Sequence, residues 1–188
     1  MDENSHKSND FMDSFKNLYN LKVLVSIALL SAISIICGKF LAIPGGNVLR
    51  FSFENLPIIL SSFAFGPIAG MITGVVADLI GCVMVGYTIN PIVTLGAASI
   101  GLMSGLSYII LKKLPLPVRV LLSVFIAHIT GSVIIKTIGL SKFYEMPFFT
   151  LLLWRLLNYV IVGSLEFVLL YYIMRSKAIS TQLERLKR

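Results

Sequence analysis

Residues 67–111 have the sequence PIAGMITGVVADLIGCVMVGYTINPIVTLGAASIGLMSGLSYIIL. Two apolar runs, residues 68–86 and 92–111, lie on either side of a short polar turn, and Asp78 is the only charged residue in the whole stretch. A membrane-spanning α-helix needs about 20 predominantly apolar residues. The stretch therefore predicts two consecutive helices that cross a lipid bilayer and are joined by a tight turn.

Four further apolar runs extend this pattern in both directions, at residues 22–43, 53–65, 118–140 and 148–174. Only the run at residues 53–65 is too short for a full crossing, so we expect a re-entrant segment or an interior helix shielded by its neighbours. The sequence thus predicts an all-α integral membrane protein, a bundle of six transmembrane helices. The expected division is an amino-terminal tail at 1–21, a membrane domain at 22–174 and a carboxyl-terminal tail at 175–188.

The composition is that of a protein surrounded mainly by lipid. Hydrophobic residues make up 56% of the chain and charged residues only 13%, whereas soluble domains average about 45–50% and about 25%. The formal charge of +7 is distributed over short Lys/Arg clusters between the apolar runs. Nucleic-acid binding would require a continuous basic face. We therefore expect a membrane protein that binds no nucleic acid.

The distribution of Lys and Arg predicts the topology. With six crossings, the amino-terminal tail, the loop at residues 112–119 and the carboxyl-terminal tail share one membrane face, and they carry most of the basic residues. With five crossings, the loop and the carboxyl-terminal tail would move to the other face, against the positive-inside rule. We predict a multi-pass protein of the cell membrane with both termini in the cytoplasm. Its first apolar run is too long for a cleavable signal peptide.

Several polar side chains fall inside the apolar runs, where each costs about 2.5–3.5 kcal/mol at the membrane centre. Counting from the helix ends predicts that most lie in the outer half of the bundle: Lys39, Arg50, Glu54, Asp78, Lys136, Arg155 and Asn158. His128 is expected near the middle and Glu166 nearer the cytoplasm. A pocket that opens to the outside would explain the common depth of the larger group.

Cations outnumber acids in this group, which favours a ligand with at least one carboxylate. Arg155 offers two parallel hydrogen bonds, although an internal ion pair with Asp78 is the alternative. Lys136 offers a mobile point charge, unless it snorkels to the lipid headgroups. Asp78 fits an amidine-like edge of a heterocycle or, equally, a structural bond to neighbouring helices. For Lys39 we expect snorkelling.

Two polar connections lie near the predicted outer mouth, the turn at residues 87–91 and the loop at residues 44–47. Their Gly, Pro, Asn and Tyr residues are typical of turns, and either connection is a candidate lid over the pocket. The predicted ligand-binding residues are Arg50, Asp78, Tyr87, Asn90, His128, Lys136, Arg155 and Asn158.

The sequence lacks the motifs expected for ATP hydrolysis and for metal binding. The run at residues 131–137 has the outline of a phosphate loop, but Ile135 stands where a glycine should precede the lysine. No group of His, Cys and carboxylate residues has the spacing of a metal site. Cys37 and Cys82 lie inside apolar runs, which predicts packing rather than a disulfide. We expect no cofactor bound by this chain, no enzyme activity, and partner subunits as the source of any ATP hydrolysis.

Small residues recur at four-residue spacing in three rows: Ala28 and Ala32; Gly66, Gly70 and Gly74; Ala97, Gly101 and Gly105. Such rows let helix backbones approach each other closely in a membrane. Each row predicts either packing inside the bundle or docking onto another membrane protein. We expect docking for at least one of them.

Four motifs in order resemble those of a known family: LRFSFENLPI at residues 49–58, FGPIAG at 65–70, GVVADLIG at 74–81 and NPIVTL at 90–95. Over residues 22–174 the chain resembles the substrate-binding S components of energy-coupling factor (ECF) vitamin transporters. The likeness is greatest to the folate-specific members, in which an arginine also appears early in the last helix. Arg155 matches that arginine here.

The resemblance implies a six-helix bundle that binds folate from outside the cell. It also implies three partner subunits, a transmembrane T component and two cytoplasmic ATPases that use the ATP. Ala28 and Ala32 match the Ala-x-x-x-Ala motif with which the family docks on the T component. One alternative is a different vitamin, such as riboflavin, pantothenate, pyridoxine or thiamin. The other is a self-sufficient proton-coupled transporter in which His128 and Glu166 form a relay, although the internal repeat of many such transporters is missing.

Overall fold

The computed structural model describes residues 18–45, 49–145 and 147–187. Within these residues the chain forms eight α-helices: α1 Leu21–Ile35, α2 Asn55–Phe65, α3 Pro67–Met84, α4 Pro91–Ile110, α5 Leu116–Ala127, α6 Lys136–Tyr144, α7 Phe148–Arg175 and α8 Lys177–Lys187. Two π-helical segments add to them. Ile36–Phe40 prolongs α1, and His128–Ile135 joins α5 to α6.

Five helical stretches are long and apolar enough to cross a membrane: Leu21–Phe40, Pro67–Met84, Pro91–Ile110, Leu116–Phe143 and Phe148–Arg175. The sixth apolar helix, α2, has only 11 residues. It is largely buried, packed among α1, α3 and α4. The predicted all-α membrane bundle is confirmed, but five helical stretches of the described residues, rather than the predicted six, are long enough to span. The second predicted helix, α2, is a short interior helix packed among its neighbours, as a run of this length allows.

Local sequence signals explain where several helices begin. Asn90 accepts a hydrogen bond from the backbone N–H of Ile92 at 3.0 Å and so caps α4, whose first residue is Pro91. Gly66 joins α2 to α3 with a φ of 103°, a conformation that side chains with a Cβ rarely adopt, and Pro67 starts the next helix. These connections hold α3 between two antiparallel neighbours.

The small-residue rows of α3 and α4 pack against each other. A Cβ atom on Gly70 would lie 2.9 Å from the carbonyl oxygen of Gly101, and one on Gly105 would lie 2.7 Å from the Cα of Pro67. Larger residues at these positions would collide with the facing helix, so the two helices can lie this close only because the residues are small. These two rows therefore serve packing inside the bundle. The row in α1 differs, because Ala28 and Ala32 are both exposed on the outer surface of the bundle.

The two ends of the bundle differ in charge and structure. We call one the basic end; it carries Lys22, Lys112, Lys113, Arg119 and Arg175. Helix α8 lies across it and packs Leu183 and Leu186 against the buried cluster of α1, α2 and α3. The sequence predicted only a tail at these residues, whereas the described part of it is an amphipathic helix.

The opposite end, which we call the site end, has the more irregular backbone. An antiparallel hairpin of β1 (Ile43–Gly45) and β2 (Leu49–Phe51) lies between α1 and α2 there, with Pro44 opposite Arg50. The π-helical turn Ile36–Phe40 and the turn between α3 and α4 belong to the same end. The sequence did not predict the hairpin or either π-helical segment.

Candidate functional site

An ion pair between Lys136 and Glu54 lies at the centre of the site end. The Lys136 ammonium donates to Glu54 Oε1 at 2.8 Å, and the two side chains are 6% and 26% exposed. Ser34 donates to the backbone carbonyl of Glu54 at 2.6 Å. A Cβ on Gly38 would lie 2.8 Å from Glu54 Oε2, so glycine leaves the room that the carboxylate occupies. Lys136 thus holds the carboxylate of Glu54, while Ser34 holds its backbone and Gly38 leaves it room.

This ion pair borders an inner cavity of about 10 Å³, the space of about one water molecule. Four charged residues from different parts of the chain line it. They are Lys39 in the π-helical extension of α1, Glu54 just before α2, Asp78 in α3 and Lys136 at the start of α6. All four are among the residues that the sequence predicted for the outer half of the bundle. Lys39, for which snorkelling was expected, lines the cavity, with its ammonium 5.7 Å from the centre of the Tyr87 ring.

An outer cavity of about 170 Å³ adjoins the inner one through Asp78, which lines both. Its other polar lining residues are Tyr87, Thr88 and Asn90. Thr94 donates to Asp78 Oδ2 at 2.7 Å and thereby orients the carboxylate. The structure therefore brings four of the predicted binding residues to two adjoining cavities: Asp78, Tyr87, Asn90 and Lys136.

Arg155 and Asn158 lie beside this site without lining either cavity. Arg155 Nε donates to the Ser132 carbonyl oxygen at 3.0 Å, and its guanidinium reaches the Tyr159 hydroxyl at 3.4 Å. The alternative of an ion pair between Arg155 and Asp78 is not what the structure forms. Asn158 is buried one turn further along α7. Arg50 lies in β2 at the site end, but its side chain is outside the described part of the chain.

His128 belongs to a second buried pair, away from both cavities. Its Nε2 lies 2.6 Å from Glu166 Oε2, and the two side chains are 1% and 0% exposed. Nδ1 lies 3.3 Å from Ser132 Oγ, and the ring stacks on Tyr159 with a centroid distance of 4.9 Å. The pair connects α7 to the π-helical segment. His128, a predicted binding residue, thus makes its contacts with Glu166, Ser132 and Tyr159 and lines neither cavity.

Sequence reasoning missed the role of Glu54 and Thr94 in the site. Glu54 carried a signal, an acid directly before a buried apolar helix, but its pairing with Lys136 joins residues far apart in the chain. Thr94 lies one turn after the α4 cap, which is an unremarkable position for a threonine. Within the described residues no group of three or more His, Cys, Asp or Glu side chains could hold a metal ion.

Fold and site together define a membrane protein that offers a charged, partly enclosed cavity at one end of a helical bundle. The family model for the substrate-specific component of ECF transporters matches residues 22–176. The chain belongs to this family. Its role as the substrate-binding membrane subunit of an ECF transporter, predicted from the sequence motifs, is confirmed.

Two solved structures share this fold. The crystal structure of FolT bound with folic acid matches with a TM-score of 0.65 and 26% sequence identity, over 79% of this chain and 90% of that chain. The S component of a bacterial ECF transporter matches with a TM-score of 0.59 and 22% identity, over 80% of this chain and 94% of that chain. At this lower identity the second match supports the fold alone.

One curated relative is an uncharacterized protein of Mycoplasma pneumoniae, the MG313 homolog. It is 39% identical over 69 residues, which is 37% of this chain. The chain matches only about a quarter, 24%, of that relative's length. This partial match adds no information about a ligand.

Proposed function

We propose that this chain captures folate at the site end and delivers it to the cytoplasm as the S component of an ECF importer. The observation that carries the proposal is the likeness to FolT bound with folic acid, at 26% identity over 79% of the chain. The charges around the two cavities support it. Folate carries carboxylates at one end and a pterin ring with adjacent donors and acceptors at the other.

In the proposed complex, the ligand carboxylates contact Lys136 and Lys39, and Arg155 supplements them from the adjoining wall. Asp78 accepts hydrogen bonds from the donor edge of the pterin ring, with Thr94 holding the carboxylate in position. Tyr87 and Asn90 line the mouth of the outer cavity. Asn90 also caps α4 and donates to the Gly139 carbonyl oxygen at 3.0 Å, so its contribution is mainly to position the wall.

Binding requires this site to open. Ligand pockets usually enclose about 300–1,000 Å³, whereas the inner and outer cavities measure about 10 and 170 Å³. The Lys136–Glu54 ion pair lines the inner cavity, and the turn between α3 and α4 borders the outer one. We therefore expect a ligand carboxylate to replace Glu54 as the partner of Lys136 as the turn moves outward.

Transport would use partner subunits. The family relationship supports a transmembrane T component and cytoplasmic ATPases, with both termini of this chain in the cytoplasm as the Lys/Arg distribution predicts. Ala28 and Ala32 are exposed on α1, where a partner helix could approach closely. We propose this surface as the docking site for the T component.

Replacing Lys136 with methionine tests the ligand site. The substitution keeps an unbranched chain but removes the charge, so folate affinity should fall by about 2–5 kcal/mol, as for other buried charge contacts. Lys113→Met at the basic end is the matched control and should bind as the unmodified protein does. Calorimetry on the purified chain against a panel of vitamins provides the measurement. Tight binding of riboflavin or thiamin without a response to folate would overturn the folate proposal.

A further inference from the structure

A second cavity of the molecule lies at the basic end, far from the site just described. It is an apolar groove of about 230 Å³ between α1, α2 and α8. The walls that matter here are Leu29, Leu30, Ala64, Phe65, Leu183 and Leu186. Leu29 is 61% exposed, so the groove opens along the outer surface of α1. In the membrane protein without its partner subunits, this surface faces lipid.

Helix α8 gives the groove a polar rim. The helix has one apolar side, which packs on the bundle through Leu183 and Leu186. Arg185 is exposed on it, and residues 175–188 carry five Lys or Arg against the single acid Glu184. An amphipathic helix of this kind lies in the interface between headgroups and acyl chains. Asn20 fixes its position on α1 by donating to the Leu186 carbonyl oxygen at 3.0 Å.

A second basic residue approaches the groove from α1. Ser26 lines the groove, and its hydroxyl donates to the backbone carbonyl of Lys22 at 2.9 Å. Lys22 therefore lies one helical turn before the groove wall, at the level where α1 begins. Arg185 precedes Leu186, whose carbonyl oxygen is bonded to Asn20 two residues before Lys22, so both basic residues lie at the same end of the groove. An apolar groove with two basic residues at one end matches an acyl chain joined to a negatively charged headgroup.

We propose that this groove binds an anionic phospholipid, with one acyl chain between α1 and α8 and the headgroup phosphate near Lys22 and Arg185. Charge distinguishes this occupant from a neutral lipid or an apolar protein helix, because neither would need cations at the end of the groove. The bound lipid fills the space between α1 and α8 and holds α8 on the bundle. The site is independent of the vitamin site, which lies at the other end.

Native mass spectrometry of the full chain in mild detergent tests the proposal. The protein is offered equal amounts of phosphatidylglycerol and phosphatidylcholine. Each basic side chain near an anionic headgroup contributes about 1 kcal/mol, a factor of about five, so phosphatidylglycerol should be retained at least about fivefold over phosphatidylcholine. The double variant Lys22→Gln with Arg185→Gln should retain the two lipids nearly equally. Equal retention by the unmodified protein would overturn the proposal.

A matched control removes the same charge at the same end, outside the groove. Lys112→Gln with Lys113→Gln should leave the preference unchanged; an equal loss would show general attraction to the basic end and overturn the site. Ser26→Trp fills the groove and should abolish retention. Because it could disturb folding, Leu29→Asn, which makes an exposed wall polar, should lower retention as well. If both Ser26→Trp and Leu29→Asn retain phosphatidylglycerol as the unmodified protein does, the groove is not the lipid site. If these variants lose assembly with the partner subunits while lipid retention stays normal, the groove binds a partner and the proposal is also overturned.

Discussion

Two acid–base pairs cross the interior of this bundle, and they differ in what surrounds them. Lys136 and Glu54 border a cavity, with Asp78 and Lys39 on its other walls. His128 and Glu166 are closer together, at 2.6 Å, and their side chains are 1% and 0% exposed. His128 also contacts Ser132 and Tyr159, and neither residue of this pair lines either of the two cavities of the site end.

The difference teaches that an ionisable residue inside a membrane is a candidate for function only until its surroundings are known. The sequence shows both pairs as costly polar groups in apolar helices. A pair beside unfilled space and further charges can exchange partners with a ligand. A pair enclosed by packed side chains can lose its partner only at the cost of leaving a charge or polar group buried. We therefore propose that the first pair takes part in binding and that the second stabilises the bundle.

Replacing Glu166 with alanine should give the largest effect on stability. His128 would stay buried without its acid partner, which costs about 3–5 kcal/mol for comparable buried pairs. Unfolding of the purified chain in detergent measures this loss. Removing both partners, as in His128→Leu with Glu166→Leu, should recover much of it, since no unpaired polar group remains. Unchanged stability together with weaker vitamin binding would contradict the assignment and move this pair into the ligand site.

Replacing Glu54 with glutamine should have a smaller effect, and it should be a gain in folate affinity rather than a loss of stability. Lys136 would no longer have to give up a charged partner before it meets the ligand carboxylate. Hydrogen bonds to charged groups contribute about 1.5–3 kcal/mol, so the gain in folate affinity should approach about 1.5 kcal/mol, roughly tenfold. Calorimetry on the same panel of vitamins measures it, with Glu145→Gln at the surface as the control. Weaker folate binding by Glu54→Gln would mean that Glu54 itself holds the ligand.

The spans were predictable because length and hydropathy alone select a lipid environment. The Asn90-Pro91 signal predicted the turn, and Gly66-Pro67 predicted the end of the short α2. The Lys136–Glu54 pairing could not be predicted, because it depends on how α6 packs against the segment before α2. The π-helical turn Ile36–Phe40, which has no clear sequence signal, changes which residues of α1 share a face. Lys39 lies in this turn and lines the inner cavity, although the sequence did not place it among the ligand-binding residues.

The comparison extends to the rows of small residues. Gly70 and Gly101 face each other across α3 and α4 with no room for a side chain. Ala28 and Ala32 face away from the bundle. All three rows have the same spacing in the sequence, so only their surroundings separate the two packing rows from the proposed docking row. The packing rows and the docking row should therefore respond to larger side chains in opposite ways.

Ala28→Trp or Ala32→Trp should have the smallest effect on the isolated chain and a large one on transport. The added ring points away from the bundle, so folding and vitamin affinity should stay within about 0.5 kcal/mol, as for most surface substitutions. The same ring would hold a partner helix away from α1, so uptake and recovery of the assembled transporter should fall together. Gly101→Ala is the contrasting variant, because its added Cβ would collide with the Gly70 backbone and should reduce folding and binding alike. Affinity and complex recovery are measured on one preparation of each variant. Reduced vitamin affinity with normal recovery of the complex in Ala28→Trp would contradict the docking assignment, since it would show that α1 contributes this surface to the ligand site instead.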